Sequence, residues 1–193
     1  MKTKRKDNFV ADPSVPKEHS ASLNDYKKSG YDRGHLAPYA SMDFSKVSAN
    51  ESFYLSNISP QKPSLNRKGW AKLESNVRFW SAYYKGAYVI TGPIYKQNKV
   101  KKTIGNKVAV PDYFFKIIYA PDKYQEPKTI AFVMPNSKVS NKDVSKYRVS
   151  IKEIEERTGL KFLDKVTKID KSKVSKMWHT KNYYKAMSDQ SSL

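Results

Sequence analysis

A chain of 193 residues is long enough for one domain with a sizeable core, burying roughly 70% of its unfolded surface. Its 37 Lys and Arg against 18 Asp and Glu leave a formal charge of +19, which repels itself in the compact state unless a polyanion such as nucleic acid relieves it. With no cysteine there is no disulfide framework, thiolate nucleophile or thiolate metal site, and 14 Tyr, 8 Phe and 3 Trp exclude a merely disordered basic tail.

Residues 1–30 are polar, carry Pro13 and Pro16 and show no sustained period, so they read as an irregular arm in which Arg5 is an exposed cation. The segment Met1-Lys-Thr-Lys-Arg-Lys-Asp7 has the charge that opens a signal peptide. Asn8-Phe-Val-Ala-Asp12 offers no apolar stretch to follow it, so no signal peptide is read. No apolar run approaches the ~20 residues of a membrane span, and no membrane partner is expected.

Tyr31-Asp-Arg-Gly-His-Leu36 fits a short strand or strand end, with Gly34 allowing close backbone approach between a phosphate-facing Arg33 and an inward-facing His35. Taken alone, the four residues Asp32–His35 read better as a tight turn with a satisfied histidine. Ala37 to Glu51 reads as a long connection. Phe53-Tyr-Leu-Ser-Asn-Ile58 alternates well enough for a strand closed by Pro60.

From Asn66 to about Tyr84, Trp70, Leu73, Val77 and Trp80 are spaced as one buried stripe of an amphipathic helix. Glu74 and Arg78 lie one turn apart, the spacing of an ordinary intrahelical ion pair. Residues 87–95, 107–119 and 129–134 are rich in β-branched and aromatic residues and read as sheet strands, with a basic loop over 96–107. Ser150-Ile-Lys-Glu153 is a capping box, and the helix it opens ends at Gly159. Eight lysines between Lys161 and Lys185 suggest a solvated face or frayed tail. His19 and His179 read as surface residues. The whole is one domain, with 1–30 an arm and 164–193 a basic C-terminal tail.

Three stretches in order, Asp-Arg-Gly-His (32–35), Tyr-Leu-Ser-Asn-Ile-Ser-Pro-Gln (54–61) and Leu-Asn-x-x-x-Trp-x-x-Leu-Glu (65–74), resemble the DNA/RNA non-specific endonucleases, which include secreted bacterial nucleases and mitochondrial endonuclease G. Thr91-Gly-Pro-Ile-Tyr95, Val110-Pro-Asp-Tyr-Phe-Phe-Lys116 and Ile154-Glu-Glu-Arg-Thr-Gly159 match further landmarks, so the likeness covers roughly residues 4 to 163. The resemblance implies an α+β fold, a central mainly antiparallel sheet flanked by helices, with a ββα-metal finger as the active site. It implies a metal-dependent, sequence-nonspecific endonuclease acting on DNA and RNA.

Carried over residue by residue, it makes His35 the general base toward water, apt because an imidazole's ordinary pKa of about 6.5 lies near working pH. Asn66 becomes the direct protein ligand of Mg²⁺, for which Mn²⁺ may substitute, and Glu74 holds the metal's waters. Arg33, Arg78 and Arg5 become phosphate-binding cations, and Asn57 supports the base or the metal shell. Asp32 reads as a brace of the turn. The compartment stays open: the family implies a secreted or periplasmic setting, while the chain reads with no signal peptide. Its members carry several tens of residues, including a strand of the sheet, ahead of the Arg5 segment. The early start here leaves open a misassigned beginning, a processed or split product, or a decayed nuclease. Two further readings therefore stay open, a truncated homologue that binds nucleic acid without cutting it and a structural basic protein. Homodimerisation and an inhibitor protein are also left open.

Overall fold

The computed structural model describes residues 7–121 and 126–179. Its centre is an antiparallel sheet ordered β3-β6-β7-β8, built from Tyr88–Ile94, Tyr113–Ala120, Lys128–Pro135 and Arg148–Val149. β6 reads as a near-continuous apolar run because both of its faces are covered. Phe114 and Ile118 point into one cluster, with Ile130, Phe132 and Met134 of β7, and Phe115 and Ile117 point into the other.

The first face is covered by helix α4, Ala71–Tyr83. Its stripe of Leu73, Val77 and Trp80, preceded by Trp70, is buried as the spacing predicts. The opposite face is covered by α5, Ile151–Thr158, through Ile151 and Ile154. Ser150 caps α5 by accepting the Glu153 N–H at 3.0 Å, and Gly159 ends it in the left-handed region at φ 70°.

Ahead of this body lies a two-stranded antiparallel ribbon, β1 (Asp32–His35) against β2 (Ile58–Gln61), with Asp32 opposite Gln61 and His35 opposite Ile58. Here the chain departs from the sequence reading. The strand expected over Phe53–Ile58 begins only at Ile58 and includes Pro60. Proline is tolerated there because β2 has a neighbour on one side only, so no ladder bond needs the missing N–H. Residues 53–55 instead hold the N-terminal arm, Val10 N–H donating to the Phe53 carbonyl and Leu55 N–H to that of Val10. Among the described residues of the arm, 7–30, the backbone is mostly irregular with one short α-helix, α1, Leu23–Tyr26, yet Phe9 and Tyr26 bury themselves under the ribbon.

The connection over 37–51 contains two short helices, α2 (Tyr39–Met42) and α3 (Lys46–Glu51), the latter capped by Ser45. The basic loop closes through a small hairpin, β4 (Thr103–Ile104) with β5 (Val108–Ala109). Of the basic tail over 164–193, expected to be frayed or solvated, residues 180–193 lie outside the described residues and 164–179 run back over the domain. Lys171 pairs with the buried Glu155, the Arg148 guanidinium donates to the Ser175 carbonyl, and Trp80 Nε1 donates to that of His179. Trp178 then packs on Trp80 and Tyr84, so an aromatic anchor overrides the polar composition.

Candidate active site

The ribbon and the start of the α4 region build the site together. Strand alternation turns Arg33 and His35 to one side of β1 and Asp32 and Gly34 to the other. Phe9 confirms the first pair. Its ring lies 4.2 Å below the Arg33 guanidinium and 5.5 Å from the His35 ring, which also meets Phe53 edge-on at 5.2 Å. Gly34 is required because the fully buried Gln61 side chain fills its space, where an added Cβ would come within 2.3 Å of Gln61 Cδ.

On the other side, Asp32 meets the residues that lead into α4. Leu65–Trp70 winds as a π-helix, and this wide turn presents consecutive residues, Asn66 and Arg67, to one carboxylate. Asn66 Nδ2 donates to Asp32 Oδ2 at 2.9 Å. Arg67 grips the carboxylate at both oxygens, Nε at 2.8 Å and a terminal nitrogen at 2.7 Å. Burial pushes the Asp32 carboxyl up, but the bonds from Arg67 and Asn66 and the Arg67 charge prevail and hold it below the usual range. An ionised carboxylate only accepts hydrogen bonds. Asn66 must therefore turn its amide nitrogen to Asp32, which leaves its carbonyl oxygen aimed away from it.

Asn57 fixes the chain beyond His35. Its Oδ1 accepts the Ala37 N–H at 3.0 Å, its Nδ2 donates to the Ala37 and Ser52 carbonyls at 2.9 Å each, and its own carbonyl accepts the Leu36 N–H. Asn57 is thus a clamp on the segment that carries the histidine.

An open cleft of about 650 Å³ is lined by Phe9, Tyr31, Asp32, Arg33, Asn66 and Arg67, among others. A second, smaller cavity of about 250 Å³ lies beyond His35 in the chain, lined by Leu36, Ala37, Glu74, Val77, Thr91 and Lys116 among others. Arg33 and Asn66 therefore share one cleft, Glu74 faces the other cavity, and His35 lies in the chain between Arg33 of the first and Leu36 of the second. Arg78, half-buried on α4, lines neither. Arg5 lies outside the described residues. Among those residues no group of three or more His, Cys, Asp or Glu could hold a metal.

Two participants were not singled out from sequence. Arg67 has no local signature. Lys116 has one, a lone cation inside the apolar run of β6. It is 1% exposed on the α4 face between Phe114 and Ile118, its ammonium 4.7 Å from the Trp70 ring centroid, 3.1 Å from Thr91 Oγ1 and 3.4 Å from the Leu36 carbonyl. Burial pushes its pKa down to about 8, against the Glu74 carboxylate, which raises it.

Comparison with known proteins agrees with this architecture. The family model described as DNA/RNA non-specific endonuclease matches residues 1–169. The chain is 37% identical over 180 residues to mitochondrial Nuclease 1 of Schizosaccharomyces pombe, covering 86% of this chain and 56% of that protein. It is 39% identical over 176 residues to the mitochondrial nuclease of Saccharomyces cerevisiae (82% and 54%), and 36% identical over 173 residues to human mitochondrial endonuclease G (84% and 58%). The chain spans a little over half the length of these curated relatives. A solved EndoG/EndoGI complex, concerned with EndoG inhibition, superposes with a TM-score of 0.76 at 34% identity, covering 83% of this chain and 70% of that one. The secreted or periplasmic setting expected from the resemblance is not what these relatives' names carry, which is mitochondrial. No helix among the described residues is long and apolar enough to cross a membrane.

Proposed function

Because the chain belongs to the DNA/RNA non-specific endonuclease family, we propose that it is a metal-dependent endonuclease hydrolysing phosphodiester bonds in DNA and RNA. The observation that carries this reading is the Asp32–Asn66 bond beside Arg33, which holds a neutral amide oxygen and a guanidinium in one cleft of a strongly basic protein. That donor set fits a hydrated hard cation, since Mg²⁺ keeps most of its waters and takes only one or two protein oxygens. Asn66 Oδ1 would hold it, and Glu74, which lines the neighbouring cavity, would accept hydrogen bonds from the outer waters of its shell. When bound, Mg²⁺ or Mn²⁺ supplies positive charge against the phosphate and the leaving oxygen.

The chain's own residues do the rest. Arg33 receives the phosphate, a guanidinium matching two phosphate oxygens at once. His35 takes a proton from water as the water oxygen bonds to phosphorus in line with the leaving oxygen, whose bond to phosphorus breaks. Arg78 and Arg5 offset the charge that develops. Asp32 keeps the Asn66 amide in the orientation needed for ligation, and Asn57 holds the backbone that presents His35. These contacts address phosphate, which carries no base identity, so cleavage is indifferent to sequence.

The test is digestion of plasmid and of structured RNA with Mg²⁺, with Mn²⁺ and with excess EDTA. Both polymers are cut with either metal and neither with chelator. Full activity in EDTA removes the metal role of Asn66, and a chain that shifts DNA yet never cuts it establishes a binding protein instead.

A further inference from the structure

Beyond the residues assigned to hydrolysis, the ribbon carries a second cationic feature at its open end. Tyr31 precedes β1 and Lys62 follows β2, so the Asp32–Gln61 pairing sets them side by side. The Lys62 ammonium lies 4.3 Å from the Tyr31 ring centroid and that of Lys102, just ahead of β4, 5.2 Å from it. Neither lysine has a carboxylate at ion-pairing distance among the described residues.

Both backbones are fixed. Lys62 N–H donates to Asn136 Oδ1 at 2.8 Å, Asn136 Nδ2 also holds the Pro60 and Pro111 carbonyls, and the Lys102 carbonyl accepts the Val110 N–H at 2.8 Å. Two like charges brought onto one ring by rigid supports repel each other until an anion sits between them. Tyr31 lines the same cleft as Lys27, Arg33, Asn66 and Arg67, which places that anion on the path of a strand already held at Arg33.

We propose that Tyr31, Lys62 and Lys102 form a backbone-binding subsite for the nucleic-acid strand flanking the scissile phosphate. The inference rests on the nuclease reading and deepens it. Tyr31 serves as a rest for the two ammonium groups, so the contact is to phosphate and reads no bases. Tyr31 is two residues from Arg33 along an extended strand, roughly 7 Å. Phosphates of one strand advance about 3.4 Å each along the axis and further along the winding backbone, so the subsite takes a phosphate neighbouring the one at Arg33 on the same strand.

The test compares wild type with Lys62→Gln/Lys102→Gln, with Lys62→Arg/Lys102→Arg, and with Lys152→Gln/Lys165→Gln, whose charges belong to the α5 side of the sheet. Binding of a labelled 20-base-pair duplex is followed by anisotropy in EDTA across a salt series, so the result does not depend on hydrolysis. The Gln pair at 62 and 102 lowers the salt slope by about two, the Arg pair retains it, and the distal pair leaves it at the wild-type value. In Mg²⁺ the same Gln pair raises KM for polynucleotide with kcat kept, and hydrolysis of bis(p-nitrophenyl) phosphate is unchanged. A wild-type slope in the Gln pair, or an equal fall in the distal pair, overturns the subsite. Duplex binding that behaves as expected without cleavage in any metal overturns the nuclease reading alone, and a wild type that binds no duplex overturns both.

Discussion

Replacing Lys116 by Met tests the electrostatics of the cavity beside Glu74. In the unfolded chain this lysine releases its proton near the ordinary 10.5, whereas in the fold it does so near 8 because its ammonium is stripped of water. Between those values the unfolded state binds the extra proton, so this group makes stability rise with pH through that window. Below pH 8 the full penalty of a buried charge is present. A fall from 10.5 to about 8, at roughly 1.4 kcal/mol per pH unit, sets that penalty at roughly 3 kcal/mol. Met fills a similar volume without charge, and it forfeits the bond to Thr91 and the contact with Trp70, worth about 1 kcal/mol each. The part of those losses that needs the ammonium charge, the Trp70 contact included, is already contained in the folded-state pKa and fades with the charge, so it adds nothing to the pH-dependent difference. Urea unfolding of both proteins at pH 7, 8, 9 and 10 therefore isolates the charge, since the other titrating groups cancel in the difference. Relative to wild type, Lys116→Met loses roughly 2 to 3 kcal/mol of stability between pH 7 and pH 10. A difference between the two proteins that stays constant across this range refutes the assignment of a charged, desolvated Lys116.

Three further outcomes follow from the ribbon. Asp32→Ala releases the Asn66 amide, and the Mg²⁺ concentration giving half-maximal cleavage rises about 10- to 100-fold in a metal titration; an unchanged midpoint contradicts the orienting role. Gly34→Ala drives a Cβ into Gln61 and lowers stability by about 1 to 3 kcal/mol in chemical denaturation, together with cleavage, because β1 carries both Arg33 and His35. Asn57→Ala leaves the Ala37 N–H and two carbonyls without their partner, lowering stability by roughly 2 kcal/mol, and a thermal melt equal to wild type would show the clamp to be idle.

What is legible in the sequence depends on the range of the interactions. Periodicity and capping are local, so the Trp70–Trp80 stripe of α4 and the Ser150 to Gly159 limits of α5 were legible almost to the residue. The displaced strand at Ile58 was not, because Pro60 reads as a terminator until it is known that its strand has one neighbour. The wrapping of 164–179 was hidden for a similar reason, since the partners of Trp178 and Lys171 lie far away in sequence. The roles of Arg33, His35, Asn66 and Glu74 come from the motif resemblance, while Asp32, legible as a brace, holds Asn66 and Arg67 through its carboxylate. The triad of Asp32 with Asn66 and Arg67 depends on a π-turn that no propensity announces. Lys116 stands as a cation in an apolar strand, a mismatch that marks a buried charge but that periodicity and motif pattern both pass over.

The most direct measurement of the central claim is single-turnover cleavage of a supercoiled plasmid by His35→Ala, with duplex binding measured in parallel. Removal of the general base lowers the metal-dependent nicking rate at least ~100-fold, while binding and its salt dependence stay at wild-type values. Nicking by His35→Ala at the wild-type rate would contradict the account, because the chemistry would then have to reside elsewhere than on β1.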